Sequence, residues 1–253
     1  MRVSGAESVL VLGGTAEARD LARRLEASGA RFVSSLAGRV ARPRLPVGEV
    51  RIGGFGGIDG LRSHLRERGV RAVVDATHPF AATVTGHAAE ACAAEDVPLL
   101  RLERPGWAGH PASGTWHWVS DHDEAARTAA GLGAAPFLTV GRQSLGRFTG
   151  PLAERVAVVR VVDDPGVALP DTWTVVRSRG PYDVESEREL MTSHGVDVVV
   201  TKDSGGTHTV AKLDVAAGLG LPVVVVRRPC PPPGVPTTDD VGRAAQWAMR
   251  PDV

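Results

Sequence analysis

Val9-Leu10-Val11-Leu12-Gly13-Gly14-Thr15-Ala16-Glu17 is an apolar run that breaks into two glycines and a threonine and then continues as an amphipathic pattern. It reads as strand, tight turn, helix. After the turn, Ala18, Leu21, Ala22 and Leu25 recur at i, i+3, i+4 and i+7, one face of a helix opening at Thr15 or Ala16. The first N–H groups of a helix have no partner within it, and glycines let a ligand approach the backbone closely, so the stretch has the makings of a phosphate cradle. Its spacing is G-G-T-x-E rather than G-x-G-x-x-G, and taken alone it reads equally as a plain strand-to-helix connection.

Outward from that stretch, apolar runs with helical patterns between them recur along the chain, which predicts an α/β protein with mostly parallel sheets. In the first half, strands are expected over 31–36, 49–52, 72–75 and 98–102, with a helix after Gly57 whose buried face holds Ile58, Leu61 and Leu65. After the third of these strands comes Thr77-His78-Pro79-Phe80, where Pro79 suits a first helical position and Thr77 or His78 the N-cap. The segment 103–114 is rich in Pro and Gly and has no periodicity, so the expected domains are 1–112 and 113–253. Strands are expected in the second half over 116–119, 136–140, 155–162, 173–177, 197–200 and 223–227. Helices are expected over 121–130, 184–193 and 209–217, with a closing helix near 238–249 that fits either domain.

Composition narrows the function classes. Lys+Arg and Asp+Glu both number 29, so no global field favours nucleic acid. Cys92 falls in an expected helix and Cys230 in a proline cluster, which implies reduced thiols rather than a disulfide framework. The longest later aliphatic run, Leu221 to Val226, is interrupted by Pro222 and too short to cross a bilayer, and the N-terminus has no apolar signal segment. The expectation is a soluble cytoplasmic protein without a membrane partner. The eight histidines are scattered, and G-x-S-x-G, Walker, H-E-x-x-H and C-x-x-C patterns are missing, so no metal site is expected. Oligomeric state stays open, a monomer being compatible with the sequence.

Ligands of open parallel sheets bind beyond the carboxyl ends of the strands, and the polar residues fall there. In the first half these ends carry Gly13 to Thr15, Ser35 to Arg39, Gly53 to Gly57 and Thr77-His78. An acid after the second strand of a dinucleotide fold binds the 2′-hydroxyl of NAD. Here Ser34, Ser35 and Arg39 stand instead, with Arg42, Arg44 and Arg51 nearby, which suits the 2′-phosphate of NADP; the alternative is that Arg39 solvates a loop. His78 is a cap or part of a nicotinamide pocket, and His87 reads as a satisfied core residue. In the second half, Arg142, Arg179, Lys202 and the N–H groups near Gly205 form a set made for several carboxylates. Trp107, Trp116, Trp118 and Trp173 read as packing residues before they read as a stacking platform.

Eight motifs occur in order: Gly13-Gly14-Thr15-x-Glu17, Ser35-Leu36-Ala37-Gly38-Arg39, Gly53-Gly54-Phe55-Gly56-Gly57, Asp75-Ala76-Thr77-His78-Pro79-Phe80, Leu100 to Pro105 with Trp107, Gly141-Arg142-Gln143, Arg179-Gly180-Pro181-Tyr182, and Thr201-Lys202 with Ser204-Gly205-Gly206. Together they resemble the precorrin-6A reductase family of corrin-ring synthesis, including its cobalt-precorrin variant. The resemblance implies two Rossmann-like domains with a cleft between them, NADPH on the first, and hydride transfer to a tetrapyrrole in cobalamin biosynthesis. Taken with the strand-end residues above, Gly13, Gly14, Thr15, Glu17, Ser35, Arg39 and Thr77 are expected at the cofactor. Arg142, Gln143, Arg179, Tyr182, Lys202, Ser204, Gly205 and Gly206 go to the substrate, and Lys202 and His78 are the catalytic candidates. The chain departs from the family pattern at Asp203, where Asn is associated with it, and at Tyr182, where Phe is usual. Two other classes stay open at this point, a nucleotide-sugar glycosyltransferase and a non-catalytic NADP-binding sensor.

Overall fold

The computed structural model describes residues 8–38 and 43–251, so Arg39 and Arg42 lie outside the described residues. The chain divides into two compact units, Met1–Arg104 with Pro229–Val253, and Pro105–Arg228. In chain order, the first unit contributes β1 (Ser8–Leu12), α1 (Ala16–Ala27), β2 (Phe32–Leu36), β3 (Glu49–Ile52), α2 (Ile58–Glu67), β4 (Val70–Asp75), α3 (Ala82–Ala94) and β5 (Leu99–Leu102). The second unit contributes β6 (His117–Val119), α4 (His122–Leu132), β7 (Pro136–Thr139), β8 (Val158–Val161), β9 (Thr174–Arg177), α5 (Val184–Ser193), β10 (Val198–Lys202), α6 (Ala211–Leu219) and β11 (Val223–Val226). The chain then returns to the first unit with β12 (Thr237–Thr238) and α7 (Val241–Met249).

The first unit is a six-stranded sheet in the order β12-β5-β4-β1-β2-β3, with every pairing parallel. Strands covered on both faces must be apolar along their whole length, and Val9 to Leu12 and Val73-Val74 are. One face carries Ala18, Leu21, Ala22 and Leu25 of α1 with Ala244, Ala245 and Ala248 of α7. The other carries Leu61 and Leu65 of α2 with Ala88, Ala91 and Cys92 of α3. Strand order reverses between β1 and β4, whose carboxyl ends therefore flank the topological switch point.

The second unit repeats the plan in the order β6-β11-β10-β7-β8-β9, again all parallel, with its switch point between β7 and β10. Its core joins Phe137, Val158 and Val199 of the sheet to Met191 of α5 and Leu213 of α6. Trp107, Trp116 and Trp173 are buried, and the indole N–H groups of Trp107 and Trp173 donate to the Gly206 and Leu152 carbonyls at 3.1 and 3.2 Å.

The expected domain limits move. The second unit begins at Pro105 rather than 113, and the tail expected in the second domain joins the first sheet, where Thr237 and Thr238 pair with Arg101 and Leu102. The small apolar face of α7 fits beside α1, which answers where the closing helix packs. Helix α3 starts at Ala82 with Ala81 as N-cap, so Pro79 sits in a turn and neither Thr77 nor His78 caps the helix. Helix α6 starts at Ala211, two residues late, because Thr209 is held in a turn with its carbonyl 2.6 Å from the Lys212 ammonium.

Candidate functional site

At the first switch point the stretch from Val9 to Glu17 folds as expected. Thr15 caps α1 by accepting the Ala18 N–H at 3.1 Å, while its hydroxyl donates to the Ala76 carbonyl at 2.8 Å. One side chain thus fixes the start of the helix and joins the loops after β1 and β4. Gly14 has φ +120 with open space where a Cβ would stand, a conformation that side chains oppose and that leaves room for a ligand against the backbone. The N–H of Gly13 is engaged by the Ser35 carbonyl at 2.9 Å. Glu17 lies in the first turn but pairs with Arg104 at 2.9 Å, so its charge near the anion-attracting helix end is offset.

Beyond β2, the buried Ser35 hydroxyl accepts from Arg51 at 3.3 Å. The same guanidinium donates to the Gly53 and Gly54 carbonyls at 2.5 and 2.6 Å and lies 4.0 Å over the Phe55 ring. Arg51 therefore shapes the glycine-rich loop beside the place expected for a 2′-phosphate.

Beyond β4, Thr77 donates both its N–H and its hydroxyl to Asp75 Oδ1, at 3.1 and 2.7 Å. Asp75 is wholly buried, and its Oδ2 accepts from Thr85 at 2.7 Å and from Arg101 at 2.6 Å. Arg101 is 3% exposed and also binds Glu103, with Nη2 to Oε1 at 3.1 Å. Burial opposes the charge of Arg101, but Glu103 and Asp75 outweigh it and hold the guanidinium above its ordinary range. His78 accepts the Phe80 N–H on Nδ1 at 3.1 Å, which places the proton of the neutral ring on Nε2.

At the second switch point β7 ends in Thr139, and Gly141 turns the chain at φ +81 into a 3-10 turn, Arg142–Arg147. The Lys202 ammonium from the end of β10 lies 3.5 Å from where a Gly141 Cβ would stand. His122, at the start of α4, is held below its ordinary range by burial and then by the Lys202 charge. Asp203 is buried: its Oδ1 accepts the Trp107 N–H at 2.9 Å, and its carbonyl accepts from Arg228 at 2.9 Å. These contacts pin the turn Ser204-Gly205-Gly206. A Cβ on Gly205, at φ +66, would strike the Pro105 carbonyl and Arg228, so only glycine fits. An Asn accepts the Trp107 N–H as well as an Asp does, so this departure from the family pattern falls on an internal contact.

Lys202, the backbone of Arg142 and Gln143 and the Ser204 turn are thus brought to one edge. Arg179 and Tyr182 come after β9, the far strand of the sheet, and are tied back by Tyr182 N–H donating to the His208 carbonyl at 3.2 Å. The Tyr182 hydroxyl donates to the Ser178 carbonyl at 3.0 Å, and its ring lies under the Arg160 guanidinium at 3.7 Å. Arg160 pairs with Glu187 within the core. Lys212, also buried, lies 4.6 Å over the Trp107 ring. Burial and Arg160 pull Lys212 down to about 7, against the opposing field of Glu187.

Sequence reasoning gave no role to Arg101, Arg160 or Lys212. The available signal was a lone arginine inside an apolar strand, Leu99-Leu100-Arg101-Leu102 and Val158-Val159-Arg160-Val161, since a charge in a strand covered on both faces needs a buried counter-charge.

The geometry is that of two doubly wound parallel sheets, the first with an open glycine turn into a capped helix and the second with cationic side chains at its edge. The family described as "Precorrin-6x reductase CbiJ/CobK" matches residues 8–249. The chain belongs to this family. A relative named precorrin-6A reductase from Rhodococcus erythropolis is 50% identical over 240 residues, covering 94% of this chain and 96% of the relative. One of the same name from Mycobacterium tuberculosis is 49% identical over 241 residues, with the same coverages of 94% and 96%. A solved structure described as CobK precorrin-6A reductase superposes with a TM-score of 0.87 at 37% identity, covering 96% of each chain. This reductase is therefore an enzyme and an oxidoreductase, and its family decides against the glycosyltransferase and sensor readings. Among the described residues no helix is long and apolar enough to cross a membrane, and no group of His, Cys, Asp and Glu is placed to hold a metal ion.

Proposed function

We propose that the protein uses NADPH to reduce precorrin-6A by hydride transfer, a step of cobalamin biosynthesis. The observation that carries the cofactor reading is the Thr15 hydroxyl joining the two loops of the first switch point over an open Gly14 turn. That arrangement presents helix N–H groups to a pyrophosphate. Gly13, Gly14 and Thr15 line the cradle, Ser35 and Arg39 serve the 2′-phosphate, and Thr77 with His78 borders the nicotinamide. Glu17 acts through Arg104 as a positioning residue.

The macrocycle carries several carboxylates. Arg142, Gln143, Arg179, Lys202 and the Ser204-Gly205-Gly206 turn receive them, with Tyr182 holding the loop that carries Arg179, and Lys202 is the proton source to test first. NADPH supplies the hydride when bound. The protein's part is to bring the donor and acceptor carbons to about 3–3.5 Å and keep water out. The relatives at about half identity are named for the cobalt-free substrate, so precorrin-6A is the proposed substrate.

The test is loss of reduced-nicotinamide absorbance on mixing protein, NADPH and precorrin-6A, with and without cobalt. Oxidation only with the cobalt form would overturn the substrate, and oxidation of NADH at equal efficiency would overturn the cofactor. Arg39→Ala should weaken NADPH much more than NADH. Lys202→Ala should raise KM for the macrocycle and slow turnover while leaving NADPH affinity unchanged.

A further inference from the structure

Three charged side chains meet in the core of the second unit: Arg160 from β8, Glu187 from α5 and Lys212 from α6. Glu187 is 1% exposed and Lys212 is 2% exposed. Glu187 Oε1 accepts from Arg160 Nη1, and among the described residues Glu187 Oε2 has no hydrogen-bond partner. The Lys212 ammonium donates instead to the Thr209 carbonyl at 2.6 Å and lies 4.6 Å over the Trp107 ring. Two cations therefore share one carboxylate. Stability alone does not call for the second cation, because a buried charge without a carboxylate of its own costs more to desolvate than an apolar side chain of similar volume. Burial and Arg160 bring Lys212 down to about 7, which is the mark of that cost.

Each cation reaches a different loop. Arg160 lies 3.7 Å over the Tyr182 ring, at the end of the loop that carries Arg179, and the Tyr182 hydroxyl closes that loop by donating to the Ser178 carbonyl at 3.0 Å. Lys212 holds Thr209, just beyond the Ser204-Gly205-Gly206 turn, and the indole that it covers donates to the Gly206 carbonyl at 3.1 Å. The two loops also meet directly. The Tyr182 N–H donates to the His208 carbonyl at 3.2 Å, and a Cβ on Gly180 would stand 3.2 Å from the same carbonyl. One buried network thus grips the segments that follow β9 and β10. We propose that Arg160 and Lys212 are positioning residues for the macrocycle, holding the Arg179 loop and the Ser204-Gly205-Gly206 turn at one fixed spacing through the Tyr182 ring and the Thr209 carbonyl. The inference rests on the placement of the macrocycle carboxylates given above. Both side chains are buried, so they act through the loops and not on the ligand. Loops fixed beforehand lose less freedom when the carboxylates of a rigid ring engage them, and Glu187 supplies the counter-charge that keeps the cations in the core.

Lys212→Met leaves Arg160 and Glu187 matched one to one, so the variant should fold. In steady-state assays with NADPH and precorrin-6A its KM for the macrocycle should rise about fivefold, with kcat held within about twofold and NADPH affinity by fluorescence titration unchanged. Lys212→Gln keeps a donor for the Thr209 carbonyl and should recover most of the loss. The decisive readout is coupling. Combined with Arg179→Ala, Lys212→Met should raise KM by clearly less than the product of the two single increases, since a loop that has lost its own contact gains nothing from being held. Increases that multiply, or an unchanged KM in Lys212→Met, overturn the inference, because a side chain that only supports the core lowers stability without acting on one ligand. Should Lys212→Met not fold, Arg160→Lys keeps the charge beside Glu187 and loses the flat stack on the Tyr182 ring. The same rise and the same coupling are then expected, and their absence overturns the inference. An unchanged KM in both Arg179→Ala and Lys202→Ala overturns the placement of the macrocycle, and the inference with it, which is a distinct result.

Discussion

The two units share a plan and differ in the segment that leaves the strand at the switch point. In the first, Gly13-Gly14-Thr15 leads into a capped helix of 12 residues; in the second, Gly141 leads into a 3-10 turn with no side-chain cap. A long capped helix aims fixed partial charge at an anion, whereas a short 3-10 turn has little dipole, and the second edge relies on side chains such as Lys202. Equal topology therefore gives unequal edges, one built on backbone N–H groups and the other on side chains. The buried ion networks differ in the same way. Asp75–Arg101–Glu103 lies beneath the Thr77 loop at the sheet's carboxyl end, while Arg160–Glu187 lies within the second core with the guanidinium stacked on the Tyr182 ring.

The largest expected effect comes from opening one of these networks. Asp75→Ala leaves Arg101 buried without its closest carboxylate and should cost about 3–5 kcal/mol in chemical denaturation, with NADPH affinity falling as the Thr77 loop is released. Glu187→Ala should cost a comparable amount yet leave NADPH affinity alone, and matching losses of affinity in both would erase the distinction between units. Gly14→Ala comes next. It forces a side chain into a left-handed backbone at roughly 1–2 kcal/mol and should weaken NADPH, whereas Gly141→Ala should raise KM for the macrocycle only. Thr15→Val removes the cap of α1 and should cost about 1 kcal/mol in stability along with cofactor affinity, both recovered largely by Thr15→Ser.

The gentlest signal is a slope with pH. Lys212 has a folded pKa of about 7 against 10.5 for the free group, so between those values the unfolded chain binds more protons. Stability should rise with pH across that window, and Lys212→Met should flatten the rise in denaturation measured at several pH values. No slope removed by Lys212→Met across that window would show that Glu187 holds the lysine charged.

Much of this was legible because the decisive signals are local. The apolar run, the glycine pair, Thr15 and the spacing of Ala18, Leu21, Ala22 and Leu25 lie within seventeen residues of chain, and they gave strand, turn and helix as found. What escaped depends on partners distant in sequence. Asp75 and Arg101 are 26 residues apart, and nothing local to either names the other. The return of Thr237-Thr238 to the edge of the first sheet was hidden for the same reason, since a two-residue strand carries no periodicity and its pairing with Arg101 and Leu102 is a tertiary choice. The late start of α3 was missed because Pro79 fits a turn as well as a first helical position, and the hydrogen bond from Phe80 to His78 selects the turn.

The central claim is that the dinucleotide belongs to the first unit's turn and not to its counterpart in the second. A crystal structure with NADP+ bound measures this directly. It should show the pyrophosphate within hydrogen-bond distance of the backbone N–H groups around Gly14, Thr15 and Ala16, and pyrophosphate density at Gly141-Arg142-Gln143 would contradict the account.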